Sequence, residues 1–147
     1  MKTRIIALDI YGTILESDDY ENEMPVREGF EEFVKRAKDS DLTLVTSSDE
    51  PTYQIKEHLE LAFRKSRFKP KPTLNLFDRF YQLTTIPKDF SQIIEDYRIK
   101  PEQLFVIGDQ YLKDIEGAKA LGCLILHVPE YGNPFVEDFD FSNIEIP

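Results

Sequence analysis

The chain is poor in three features that would each have set its class. It has a single cysteine, Cys123, so no intramolecular disulfide can staple it. The place of that thiol in the apolar run Cys123-Leu124-Ile125-Leu126 reads as a buried, inert side chain. No apolar run approaches the roughly 20 residues of a membrane-spanning helix, so no membrane partner is expected. The first apolar stretch stops at Leu8 and is followed by Asp9, unlike a secretory leader, which makes cytoplasmic the expected location. Basic residues are scarce beside acidic ones, 18 Lys and Arg against 28 Asp and Glu, for a net charge of −10. Phosphate backbones demand a basic footprint, so nucleic acid is not an expected partner, whereas cation binding is favoured. With 41% hydrophobic residues in 147, residues 1–147 are expected to form one domain able to bury its own core.

What is present alternates. Short apolar runs at Arg4 to Leu8, Leu42 to Thr46, Leu104 to Ile107 and Cys123 to Val128 read as buried strands, with a fainter one from Phe80 to Leu83. Between them apolar residues recur at helical spacing. Val26, Phe30, Phe33, Val34 and Ala37 form one such set, with Pro25 suited to the first turn. Ile55, Leu59, Ala62 and Phe63 form a second, starting at Pro51 with Asp49 as its expected cap. Phe90, Ile93, Ile94 and Tyr97 form a third, and Ile115 and Ala118 lie on a fourth that stops at Gly122. Alternating strands and helices imply right-handed crossovers and a parallel sheet covered on both faces. The expected fold is a doubly wound, Rossmann-like three-layer α/β domain with about five strands. Two segments break the rhythm: residues 16–23 hold five acids and residues 64–71 hold five bases. They read as solvated loops, or as charge filters flanking a site.

Open parallel sheets bind ligands beyond the carboxyl ends of their strands. Those ends carry Asp9, then Thr46 and Ser47, then Asp109, with Asp114 five positions later and Lys88 ahead of the third helix. Asp9 and Asp109 would crowd two negative charges, which a hard cation such as Mg²⁺ would relieve. That cation would also offset the repulsion between a carboxylate nucleophile and an anionic phosphoryl group. Thr46 suits a hydrogen bond to a phosphoryl oxygen and Lys88 suits charge stabilisation, while Gly12 allows a sharp turn just past Asp9. Bland alternatives stand beside each assignment. Asp114 would serve as a helix cap, Ser47 or Ser48 would replace Thr46, Lys69 or Lys71 would replace Lys88, and Tyr11 would be a packing aromatic. His58 reads as a surface residue and His127 as a strand residue away from any strand end. Phe135, Phe139 and Phe141 read as packing the last segment onto the domain.

Taken in order, Asp9-Ile10-Tyr11-Gly12-Thr13, Leu44-Val45-Thr46, Lys88 and Gly108-Asp109 through Asp114 resemble the four motifs of the haloacid dehalogenase-like superfamily, mostly phosphatases that form an aspartyl-phosphate. Pro25 to Phe30 and Asp114 to Gly122 resemble further family segments, so the likeness spans nearly the whole chain. The resemblance implies that Asp9 is the nucleophile and a metal ligand, joined at the metal by the backbone carbonyl of Tyr11, by Asp109, and by Asp114 directly or through water. It implies that Thr46 and Lys88 hold the phosphoryl group, with Gly12, Thr13 and Ser47 lining its binding loop. The family's cap domains insert between the first three motifs. Helices already fill most of both intervals here, so no cap is expected, and an open site suits a large phosphorylated substrate or a homodimer whose partner covers it.

One position departs from the phosphatase pattern. Most phosphatases of the superfamily carry a second aspartate two residues after the nucleophile, as proton donor and then base. Tyr11 stands there instead, and a phenol with a pKa near 10 is a weak acid and a poor base near neutrality. Three readings stay open: a metal-dependent phosphohydrolase, a metal-free 2-haloacid dehalogenase, whose Asp-x-Tyr-Gly-Thr motif resembles residues 9–13, or a binding site with little or no turnover.

Overall fold

A computed structural model describes the chain except for residues 1, 18–24 and 67–68. Five strands, β1 (Ile5–Leu8), β2 (Thr43–Ser48), β3 (Phe77–Gln82), β4 (Leu104–Gly108) and β5 (Leu124–His127), alternate with four helices, α1 (Phe30–Asp39), α2 (Thr52–Arg64), α3 (Ser91–Tyr97) and α4 (Glu116–Leu121). All neighbouring strands are parallel, in the order β3-β2-β1-β4-β5. The doubly wound α/β expectation holds.

The two-residue period of a strand explains how one central strand serves both layers. Ile6 and Leu8 of β1 face a core that takes Phe30 and Phe33 from α1 and Ile55, Leu59 and Phe63 from α2. Ile5 and Ala7 face the opposite core, with Phe90 and Ile93 beside α3 and Ala118 of α4. Because β1 lies at the centre and the chain winds outward from it in both directions, the order reverses between β1 and β4. That crevice is where an open α/β sheet presents its ligand site.

The structure adjusts several expectations. α1 begins at Phe30, not near Pro25, because Gly29 stands before it at φ +79°. A side chain on Gly29 would overlap the Asp140 carboxylate and the backbone of Phe141. Val26 is buried nonetheless, so its apolar signal reports packing rather than helix. Asp49 does not cap α2, whose first turn is preceded by Pro51; its carboxylate pairs with Lys113 at 2.9 Å. Residues 111–115 form a wide π turn ahead of α4. In the final segment Phe141 is fully buried, edge-on to Phe30 and Phe33, and Phe139 packs on Phe141. Phe135 is 94% exposed and packs nothing down. Residues 18–23 of the acidic segment and 67–68 of the basic one lie outside the described residues. Among the described residues no cap domain stands between the first three motifs, and no helix is long and apolar enough to cross a membrane.

Candidate active site at the carboxyl edge

Asp9 leaves the end of β1 with its N–H still bonded to the Ile107 carbonyl of β4 at 3.0 Å. The sheet ladder therefore fixes where its carboxylate starts. The chain then turns through Gly12 at φ +84°, and a side chain there would overlap the Asp109 carboxylate. Glycine is required at that point by both conformation and space. The turn delivers Thr13, whose buried hydroxyl lies 3.2 Å from Asp9 Oδ2 and 3.0 Å from Asp109 Oδ1. Gly108 plays the same part on β4, since a side chain there would overlap Asp114.

Asp9, Asp109 and Asp114 are all buried and offer ligand oxygens within 4.8 Å of one another. Lys88 is fully buried among them, its Nζ 3.0 Å from Asp9 Oδ1 and 2.5 Å from Asp114 Oδ1. The peptide of Lys88 is anchored to the π turn by its N–H, 2.9 Å from the Lys113 carbonyl. Asp114 accepts the Gln110 N–H at 3.0 Å and does not cap α4. His127 ends β5 with Nε2 2.8 Å from the Asp109 carbonyl, so it does lie at a strand end and braces the loop that carries Asp109.

Three carboxylic acids face one ammonium here, and fully ionised they would leave a surplus of two negative charges. The electrostatics register that surplus. Burial, followed by the nearby Asp9 carboxylate, pushes the Asp109 carboxyl up to about 8. Asp114 is also raised, again by burial first and Asp9 second. Burial alone would lower Lys88, but Asp9 and Asp114 more than reverse it and hold its proton tightly. Two buried atoms have no hydrogen-bond partner among the described residues and bear on the site: Asp109 Oδ2 and the Thr46 hydroxyl. Thr46 lies beside Leu8 in the β1–β2 register. Ser47 is buried at the next position and makes no hydrogen bond to the carboxylates among the described residues. An orphaned carboxylate oxygen in an acid-rich pocket fits a hard divalent ion.

Above Asp9 a cleft of about 110 Å³ is lined by Tyr11, Ser17, Asp49, Glu50, Gln110 and Lys113. Lys113 and Asp49 bridge it from the two loops that follow β4 and β2. The Tyr11 hydroxyl lies 2.6 Å from His58 Nδ1 and accepts a bond from Gln54 Nε2 at 3.2 Å. His58 is buried on α2, so it is not a surface residue. The spacing of Gln54 and His58, one helical turn apart, was a readable sign that they share a face. Arg27 also escaped the sequence reading. It is buried, its guanidinium 3.4 Å from the carbonyls of Gly12 and Thr13 and stacked over Tyr131 and Phe139. It supports the turn after Asp9 from behind.

A family model described as haloacid dehalogenase-like hydrolase matches residues 18–122. The chain belongs to the haloacid dehalogenase-like hydrolases. The matched span begins beyond Asp9 and takes in Thr46, Lys88, Asp109 and Asp114. Solved structures share the fold at low identity. A haloacid dehalogenase-like family hydrolase from Xanthomonas campestris superposes with a TM-score of 0.69 at 14% identity, over 96% of this chain and 92% of that one. CbbY from Rhodobacter sphaeroides, in complex with phosphate, gives 0.67 at 12% identity over 96% of each chain. The N-terminal part of a Bacteroides fragilis protein, containing a phosphatase domain complexed with Mg, gives 0.63 at 17% identity over 89% of this chain and 37% of that one. No curated protein matches the sequence.

Proposed function

We propose that the protein is a Mg²⁺-dependent phosphohydrolase in which Asp9 is the nucleophile. The observation that carries this reading is the buried Asp9–Asp109–Asp114 cluster, with Lys88 pinned inside it and two negative charges in excess when fully ionised. Asp9, Asp109 and Asp114, with the Tyr11 carbonyl, would hold the cation, which when bound would neutralise charge on the transferring phosphoryl group. The residues divide the remaining work. Lys88 aims the Asp9 carboxylate through its 3.0 Å contact and presents positive charge next to the reacting oxygen. Thr13 spans Asp9 and Asp109 and keeps the two carboxylates in register. The buried Thr46 hydroxyl, without a partner among the described residues, is available to a phosphoryl oxygen. The Mg of the Bacteroides protein and the phosphate of CbbY are compatible with the same assignment.

The cluster also speaks against metal-free dehalogenation. That reaction needs one nucleophilic carboxylate, and two further buried acids would repel a haloacid anion. The test is hydrolysis of p-nitrophenyl phosphate with and without Mg²⁺. Turnover is expected to need the metal and to vanish in Asp9→Asn. Purified protein that stays silent at every Mg²⁺ concentration, while Mg²⁺ and a phosphate mimic still raise its thermal stability, would make it a binding domain instead. Halide release from 2-chloropropionate in the presence of EDTA would establish the dehalogenase.

A further inference from the structure

We propose that this site accepts phosphoryl groups only from leaving groups that depart as stable anions, such as acyl phosphates, phosphoanhydrides and aryl or enol phosphates, because the hydroxyl of Tyr11 is committed to His58. The inference rests on the phosphohydrolase reading above and narrows it to a substrate class.

Tyr11 lines the same cleft as Asp9, at the place from which a leaving group would be protonated. A phenol has one proton to give. Its oxygen stands 2.6 Å from His58 Nδ1. In the imidazole tautomer that carries its proton on Nε2, Nδ1 is the acceptor and the phenol the donor. Gln54 Nε2 donates to the same oxygen at 3.2 Å, so two residues one turn apart on α2 grip the hydroxyl. His58 is buried on that helix, its imidazole edge-on to the Tyr11 ring with centroids 5.6 Å apart. His58 is therefore a positioning residue that draws the Tyr11 proton toward α2. The two lysines described beside Asp9 are engaged as well: Lys88 lies beneath Asp9, bonded to two carboxylates, and Lys113 is tied to Asp49.

The chemistry follows from that inventory. As the Asp9 oxygen bonds to phosphorus, the bond from phosphorus to the leaving-group oxygen breaks and its electron pair stays on that oxygen. The group departs as an anion with no proton added. Water then adds to phosphorus, the Asp9–phosphorus linkage breaks to restore the carboxylate, and the proton lost by water ends on the released phosphate. A positioned general acid contributes about 10²–10⁴-fold for poor leaving groups, and the wild-type site forgoes that factor.

The test compares kcat/KM of the Mg²⁺-loaded full chain across acetyl phosphate, a series of substituted phenyl phosphates and glycerol 3-phosphate. That ratio reports the first chemical step even where release of the phosphoryl group from Asp9 limits turnover. The expected result is a fall of about 100-fold or more from the best phenyl phosphate to the alkyl phosphate. The gap is expected to narrow by about tenfold or more in Tyr11→Asp, which restores a carboxyl, and to narrow also in His58→Leu, which releases the phenol proton. Equal kcat/KM for alkyl and phenyl phosphates in the wild type overturns the inference alone, as does a gap unchanged in both variants. Silence on every phosphate, acetyl phosphate included, overturns the hydrolase reading and this inference with it.

Discussion

The charge surplus at the site has a thermodynamic signature that can be measured without any substrate. In the metal-free protein burial and the Asp9 carboxylate push the Asp109 carboxyl up to about 8, from an ordinary 3.8. A carboxyl whose folded pKa lies above its unfolded one binds more protons folded than unfolded between the two values. Stability therefore falls as pH rises through that window. Asp114 is shifted in the same direction and adds to the slope. At Asp49 burial works upward, but the bond and charge of Lys113 outweigh it and hold the carboxyl low, so its contribution is lost only in acid, below this window. Each pH step of one across the window removes about 1.36 kcal/mol per proton, so moving from pH 5.5 to pH 8 costs on the order of 3 kcal/mol. For a chain of this size that is roughly 6–12 °C in melting temperature. Mg²⁺ needs the ionised cluster, so it should stabilise strongly at pH 8 and weakly at pH 5.5. At a hundred times its dissociation constant it adds about 2.7 kcal/mol, enough to cancel most of the slope. Thermal melts in EDTA and in excess Mg²⁺ at both pH values, repeated on Asp109→Asn, test the reasoning. The variant should lose the Asp109 part of the slope, leaving only the Asp114 contribution, and lose the Mg²⁺ response with it. A metal-free melting temperature that stays flat or rises from pH 5.5 to 8 would refute the account of the cluster.

Three further perturbations follow from the geometry. Lys88→Met strands Asp9 and Asp114 without their buried partner and should destabilise the metal-free protein by about 3–5 kcal/mol in denaturant unfolding, with part recovered on adding Mg²⁺. Gly12→Ala places a methyl group where Asp109 sits, at φ +84°; isothermal titration should show Mg²⁺ affinity reduced by about tenfold or more, since a strained φ alone is worth about 1–3 kcal/mol. Phe141→Ala removes the ring that seats the final segment on Phe30 and Phe33 and should cost about 3–5 kcal/mol of stability, read as an earlier denaturation midpoint.

How far the sequence could be read depended on whether a residue's role was local. Asp9, Asp109 and Asp114 were legible because strand ends and a short fixed spacing place them, and the layer order follows from alternation along β1. The start of α1 was not legible. Val26 carries the apolar signal of a helix, yet Gly29 is set by its fit against Asp140, more than a hundred residues away. Asp49 looked like a cap for the same reason: its true partner, Lys113, comes from the loop after β4. Arg27 lay in a segment that resembles the family, but its role gave no sign, because nothing in its neighbourhood says that an arginine will be buried under the turn after Asp9.

Tyr11 shows where the two kinds of reading meet. The sequence identified the substitution and its consequence, a missing carboxyl two residues after Asp9, but left two roles open to the phenol, weak acid or mere packing. What narrows the choice is a helix that starts forty residues later and turns Gln54 and His58 toward the hydroxyl. A phenol held only by packing could offer its proton to whichever group departs. On the proposal made above, a phenol whose proton is claimed by a buried imidazole leaves the departing group to carry its own charge, and selectivity would be set on α2 as much as at the motif that holds Asp9.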